Sequence, residues 1–274
     1  MTLRFGTAGI PHSAKPRDAI NGVKQVRKLG FSAMELEFVH SIWLTKQASP
    51  GLGAVAKEED VLLTAHCPYY INLYAKEAEK RGASRSRIVQ SALRCAEAGG
   101  YSVTYHPAFY FGDSSEKVSA AVLEQMKKIE SELKEHSVKI WVRPETTGKP
   151  TQFGTYEELL KLSQELEMVM PCIDFSHLHA RSNGKFNTYE EFSKVLEAVE
   201  KYLGKEGLKQ MHMHASGINY GEKGEKNHLF LKDSDFNYKD LCKALKDFKV
   251  DGVIICESPN PEEDTLLLQR TYKA

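Results

Sequence analysis

The chain has 274 residues, and its 37 Lys+Arg against 37 Asp+Glu leave no formal net charge. Hydrophobic residues at 41% and charged residues at 27% exclude a disordered chain and are enough to bury a sizeable core. The neutral balance offers no global field for a polyanion, although a local basic rim or a cation cluster can still attract one.

No apolar run nears the ~18 residues of a membrane span. The opening MTLRFGTAGIPHSAKP has no apolar signal region followed by a cleavage site. Cys67, Cys95, Cys172, Cys242 and Cys256 are odd in number and free of CxxC spacing. They read as small hydrophobes in a reducing, cytoplasmic setting.

Taken in chain order, short β-like runs alternate with helical patterns. The runs at 3–7 (LRFGT) and 32–38 (SAMELEF) come first, with Gly30 marking a helix stop between them. The run at 61–66 (VLLTAH) ends in His66. After a helical pattern over 83–100, closed by Gly99 and Gly100, the run at 102–106 (SVTYH) ends in His106. A second amphipathic pattern at 119–136 precedes 138–144 (VKIWVRP), which runs into Glu145. Thr155 opens the next helix, with acidic residues in its first turn as helix N-termini prefer. The run at 168–174 (MVMPCID) ends in Asp174, with His177 three residues on. Thr188 opens another helix. The run at 209–214 (KQMHMH) carries His212 and His214, which share a strand face by the period of two. A polar segment at 216–227 reads as the most mobile excursion, and 252–257 (GVIICE) ends in Glu257.

Eight runs at about 34 residues per unit (274/8) predict a (β/α)₈ TIM barrel, one domain spanning 1–274. The alternative is a doubly wound open sheet, which gathers ligand groups at one switch point rather than at many strand ends. A lone His at a strand end is usually a hydrogen-bonded structural residue, and a lone Asp or Glu a cap or ion-pair partner. Six successive strand ends carrying His, Asp or Glu call for a single explanation: a metal site at the barrel mouth, where βα loops surround the chemistry. His177 suits a second metal near the first, and His228 with His177 an additional one. His214 is a weaker candidate ligand than His212. His179 reads as a residue pointing elsewhere, and His12, His40 and His136 as peripheral.

These residues resemble endonuclease IV, the zinc-dependent apurinic/apyrimidinic endonuclease family of DNA base-excision repair within the xylose-isomerase-like barrels. The matching segments are AHCPYYINL (65–73), YHP (105–107), ETTG (145–148), CIDFSH (172–177), MH (211–212) and ESPNP (257–261). The resemblance covers most of the chain and implies Zn²⁺, two or three per chain, with Mn²⁺ as a substitute. His66, His106 and Glu145 would hold the first ion. Glu145 would bridge to a second, held also by Asp174, His212 and Glu257, and His177 with His228 would hold the third. Glu145 would be central to catalysis. Tyr69 matches a DNA-facing tyrosine of the family. The chain departs from the family at Lys226-Asn227, where Asp-Arg precedes the last histidine, so the third ion keeps a carboxylate only if Glu225 substitutes. It departs again at His214-Ala215.

The implied activity is hydrolysis of the phosphodiester 5′ to an abasic site in double-stranded DNA, by a monomer with no membrane association. Lys149, Arg181 and Lys223, together with Lys15, Arg143 and Lys185, lie in or near βα loops and are candidate phosphate contacts. A single-metal sugar isomerase or epimerase would use only Glu145, Asp174, His212 and Glu257. A non-catalytic DNA- or metal-binding relative is the third reading.

Overall fold

The computed structural model describes residues 2–274. Eight parallel strands form the barrel: β1 (Arg4–Ala8), β2 (Ala33–Glu37), β3 (Leu62–His66), β4 (Ser102–Tyr105), β5 (Trp141–Pro144), β6 (Cys172–Asp174), β7 (Met211–Ala215) and β8 (Gly252–Cys256). Their order is β5-β4-β3-β2-β1-β8-β7-β6. The β5/β6 seam closes through parallel bridges Val142–Val169 and Glu145–Cys172. There the Val142 N–H donates to Met168 O at 2.9 Å and the Thr146 N–H to Cys172 O at 3.0 Å. The eight expected runs are thus the eight barrel strands. Two of them, at 138–144 and 168–174, keep regular pairing only over their last three or four residues.

Nine helices among the described residues surround the strands: α1 (Ala19–Lys28), α2 (Ser49–Glu58), α3 (Ala78–Glu97), α4 (Ser115–Glu135), α5 (Tyr156–Gln164), α6 (Phe175–Arg181), α7 (Tyr189–Lys209), α8 (Tyr238–Asp247) and α9 (Pro261–Lys273). At the start of α5, Thr155 Oγ1 accepts from the Glu158 N–H while Glu158 accepts from the Thr155 N–H, a reciprocal cap. Gly30 and Gly99 take φ of 84° and 67° where the preceding helices stop.

The apolar core lies outside the barrel. Outward residues such as Met34, Leu36, Leu63, Val103 and Val142 are buried against Val23, Val26, Ile88, Val89 and Met126 of the helices. A second cluster joins Phe5, Ile173, Met213 and Ile254 to Phe192, Val195, Leu241 and Leu245. Each such side chain contributes about 1.5–3 kcal/mol on burial. Inside lies a small apolar cluster of Ala33, Val253 and Ile255, with Ala8, Leu62 and Tyr101 packed against it. Many other inward positions, among them Glu35, Thr64, Ser102, Arg143, Cys172 and His212, are polar or titratable and fully buried.

The polar segment at 216–227 folds into a β-hairpin, Gly217–Gly221 against Gly224–Leu229. It packs on α6 and on the loop after β5, where the Glu225 N–H donates to Gly148 O at 2.9 Å. Gly148 makes this close approach possible, because a Cβ there would lie 2.7 Å from the Glu225 side chain and 3.1 Å from His177. No helix among the described residues is long and apolar enough to cross a membrane.

Candidate metal centre

Glu145 leaves the end of β5 into the mouth, its N–H tied to Tyr105 O at 2.9 Å. Its carboxylate is fully buried among four imidazoles. Oε2 lies 3.4 Å from His66 Nε2; Oε1 lies 3.3 Å from His106 Nε2, 3.2 Å from His177 Nδ1 and 3.4 Å from His214 Nδ1. The rings run in file across the mouth, with centroids 5.9 Å apart for His66–His106, 5.4 Å for His106–His177 and 5.8 Å for His177–His228.

Three overlapping donor groups result, each with ligand atoms within 4.8 Å of one another: His66, His106, Glu145; Glu145, Asp174, His214, Glu257; and His177, His228, Glu257. Glu145 is common to the first two and Glu257 to the last two. Asp174 serves twice. As the N-cap of α6 its Oδ1 accepts from the His177 N–H at 2.8 Å, which leaves Oδ2 for the mouth. Backbone carbonyls orient three of the histidines: Cys67 O is 2.7 Å from His66 Nδ1, Thr146 O is 3.0 Å from His177 Nδ1, and Glu257 O is 2.9 Å from His228 Nδ1. A carbonyl accepts, so these rings carry Nδ1–H and present Nε2 to the mouth.

The donor set fits a divalent cation. Glu145 Oε1, Asp174 Oδ2, Glu257 Oε2, His177 Nε2 and His214 Nδ1 are shielded from solvent and make no hydrogen bond. Unpaired polar atoms at such depth cost free energy that a coordinated ion offsets. Imidazole nitrogen with carboxylate oxygen suits zinc or manganese.

The protein's own charges already show strain of this kind. Burial opposes charge on His66, but Glu145 outweighs it and the imidazole is pushed up to about 10. Burial outweighs the attraction of His177 and raises Asp174 to about 6. Burial would also raise Glu257, yet His214 outweighs it and brings the carboxyl down to about 2.

Several expectations change on this geometry. His212 does not stand with Asp174 and Glu257. It lies one layer deeper, its Nε2 3.1 Å from Glu35 Oε2 and its Nδ1 2.9 Å from Ser102 Oγ. His214 occupies the mouth position instead. Both face inward, as the strand period requires, but β7 pairs His214 with Asp174 and His212 with Cys172, and this register sets the depth. Burial pushes His212 down to about 4, the direction of a neutral structural imidazole.

Glu225 reaches His177 Nε2 at 3.6 Å, beside His228, while Lys226 and Asn227 are exposed. His179 is buried and bound to Asp235 at 3.0 Å, away from the mouth.

Among the phosphate-contact candidates, Arg181 is committed inward. It donates to Thr147 Oγ1 at 3.0 Å and Gln152 O at 2.9 Å, clamping the loop after β5. Arg143 is fully buried at the opposite end of the barrel, donating to Pro171 O at 3.0 Å. Lys149 is half-buried on the clamped loop, Lys223 is exposed at the hairpin tip, and Tyr69 is 61% exposed with its ring 5.7 Å from His66.

Two carboxylates at the end of β2, Glu35 and Glu37, belong to the same interior and were not among the expected residues. Glu37 closes the gap beside His66, and burial pushes its carboxyl up to about 8. The signal was present in AMELE: two glutamates two apart in an apolar run point to one face.

Comparison with known proteins agrees with this architecture. The chain is 46% identical over 270 residues to an uncharacterized protein of Methanocaldococcus jannaschii, covering 98% of this chain and 97% of that one. A probable endonuclease 4 of Mycoplasma pneumoniae is 23% identical over 208 residues, 74% of this chain and 70% of that one. Among solved structures, endonuclease IV from Thermus thermophilus superposes with a TM-score of 0.74 at 20% identity, over 98% of this chain and 97% of that one. A D-tagatose 3-epimerase-like protein superposes with 0.75 at 17% identity, over 100% and 96%. Residues 23–272 match the family model described as xylose isomerase-like TIM barrel, and with an eight-stranded barrel bearing its donor groups at the strand ends, the chain belongs to that family.

Proposed function

We propose that this protein is a metal-dependent apurinic/apyrimidinic endonuclease that hydrolyses the phosphodiester 5′ to an abasic site in double-stranded DNA. The observation that carries the reading is the sharing of Glu145 and Glu257 among three adjoining donor groups. A one-metal sugar isomerase or epimerase needs the group Glu145, Asp174, His214 and Glu257. It has no use for His66, His106, His177 and His228 drawn up beside it. Zinc ions held by these groups would lower the pKa of a coordinated water toward ~7 and neutralise charge at the phosphate oxygens.

The chain's residues do the rest. Glu145 spaces the first two groups and fixes the imidazoles around it. His177, His228 and Glu257 form the third group, and Glu225, 3.6 Å from His177 Nε2, offers it a further carboxylate. Arg181 holds the loop carrying Thr147 and Lys149 at the rim. Exposed Tyr69 offers a ring against which an unpaired sugar or neighbouring base can pack, and Lys149 and Lys223 meet backbone phosphates, which makes binding salt-sensitive. An abasic nucleotide must leave the stack to reach the mouth, and extrusion costs least where no base pairs. Water adds across the phosphorus–O3′ bond, giving a 3′-hydroxyl and a 5′-deoxyribose phosphate.

Incision of a synthetic abasic duplex by the zinc-loaded monomer, compared with Glu145→Gln, tests the reading. Wild type should cut 5′ to the lesion and Glu145→Gln should fall by at least ~10³-fold. One Mn²⁺ per chain, an intact duplex and turnover of a ketose would replace it with the epimerase reading. Duplex binding without cleavage, unchanged by the substitution, would mark a non-catalytic relative.

A further inference from the structure

Beneath the mouth lies a buried array that touches the metal centre through His214. Glu35, on the inner face of β2, presents one oxygen to each of two imidazoles. Its Oε1 is 3.0 Å from His214 Nε2 and its Oε2 is 3.1 Å from His212 Nε2. Thr64 Oγ1 donates to the same Oε2 at 2.7 Å. On the far sides of the rings, His214 Nδ1 faces Glu145 Oε1 and Glu257 Oε1, both at 3.4 Å, while His212 Nδ1 is 2.9 Å from Ser102 Oγ. All five residues of the array, Glu35, Thr64, Ser102, His212 and His214, are fully buried.

An ionised carboxylate can only accept, so Glu35, with an oxygen 3.0–3.1 Å from each Nε2 in close contacts that fall outside hydrogen-bond geometry, favours the Nε2–H tautomer of both rings electrostatically. For His214 that leaves the Nδ1 lone pair aimed at Glu145, Asp174 and Glu257. This is the reverse of His66, His177 and His228, whose Nδ1 atoms face backbone carbonyls. His214 is the mouth histidine oriented by a side chain from another strand.

We propose that Glu35 is a positioning residue of the metal centre, holding His214 in the tautomer and ring orientation that a cation requires, with Thr64 and His212 steadying its second oxygen. The proposal rests on the metal-centre reading given above. A rival arrangement is visible in the same place, since Cys172, His212 and His214 offer ligand atoms within 4.8 Å of one another. If that inner group took a cation, His214 would serve two ions through its two nitrogens and Glu35 would lose its acceptor role.

The test uses full-length protein stripped of metal, as wild type, Glu35→Ala, Glu35→Gln and Cys172→Ser, with folding checked by circular dichroism. Zinc affinity is read by chelator competition, the imidazole tautomers by ¹⁵N NMR after zinc is restored, and ligand type by the Co²⁺ absorption spectrum. Glu35→Ala should weaken zinc binding roughly 10–100-fold, the usual loss when an imidazole's outer partner is removed. Glu35→Gln should fall between, because an amide oxygen is its one acceptor atom where the carboxylate had two, and His214 should pass from one tautomer to a mixture. Cys172→Ser should match wild type. If Glu35→Ala does not fold, Glu35→Gln carries the same readouts. Folded Glu35 variants that bind zinc within about twofold of wild type and keep one tautomer overturn the proposal. So does a thiolate charge-transfer band in the Co²⁺ protein that Cys172→Ser abolishes. None of these readouts involves DNA, so a wild type unable to cut an abasic duplex would defeat the nuclease reading and leave this one standing.

Discussion

Arg143 and Glu145 are two residues apart on β5 and point into the same barrel, yet they meet opposite fates. At the foot, Arg143 is enclosed: its Nη groups donate to Pro171 O, Gln210 O and Tyr101 Oη, and its guanidinium lies over the Tyr101 and Trp141 rings at 5.2 and 5.6 Å. At the mouth, Glu145 is as deeply buried, but its Oε1 has no hydrogen-bond donor and stands among histidines. At the foot the protein meets both Nη groups with its own oxygens and leaves Nε unpaired. The mouth gathers donor atoms that could hold a metal ion. The difference teaches where stability and function sit in this barrel: a buried cation whose Nη groups are met by oxygens is held structurally, whereas carboxylates and imidazoles gathered at equal depth within 4.8 Å of one another could hold a metal ion.

The contrast can be broken first at the foot. Arg143→Ala would leave buried carbonyls without donors and open a cavity, costing about 3–5 kcal/mol of stability in urea unfolding. Zinc affinity per folded molecule should stay unchanged, and a parallel loss of zinc binding would show that the two ends are one unit. A smaller effect is expected at the rim. Arg181→Ala releases the loop after β5, at about 1–3 kcal/mol of local stability. Amide exchange at Thr147 to Gln152 should accelerate while the strands stay protected.

Next comes a pH effect confined to the mouth. Burial pushes the Glu37 carboxyl up to about 8, so the native metal-free protein keeps a proton there that the unfolded chain, near 4.5, has released. Stability of the metal-free protein should therefore fall as pH rises from about 4.5 to about 8. Glu37→Gln should flatten that slope and melt roughly 2–4 °C above wild type at pH 9. Equal slopes in the two proteins would mean Glu37 is ionised throughout. The smallest effect belongs to the exposed hairpin tip. Lys223→Ala should weaken duplex binding slightly at all sequences and reduce the salt slope by about 1. An unchanged slope would remove the tip from the DNA surface.

Much of this was legible in the chain. The alternation of β-like and helical runs is a local property, because strand period and helix spacing are set by backbone geometry, and it marked all eight strands. The identities of His66, His106, Glu145, Asp174, His177 and Glu257 followed from where apolar runs end, since strand ends in a barrel share one mouth. What a one-dimensional pattern assigns is the face of a residue, not its depth. His212 and His214 share a face, and only the pairing of β7 with β6 placed His214 beside Asp174 and His212 beside Cys172. The same limit hid Glu35 and Glu37, whose alternation in β2 was visible but whose partners come from β3 and β7. It also made Arg143 and Arg181 look like rim cations, when the carbonyls that capture them lie 28 to 67 residues away in sequence. Composition and periodicity decided that this chain would be a barrel with a polar mouth. Register and closure, which depend on hydrogen bonds between distant strands, decided which of its polar residues pair within the protein and which gather into donor groups that could hold a cation.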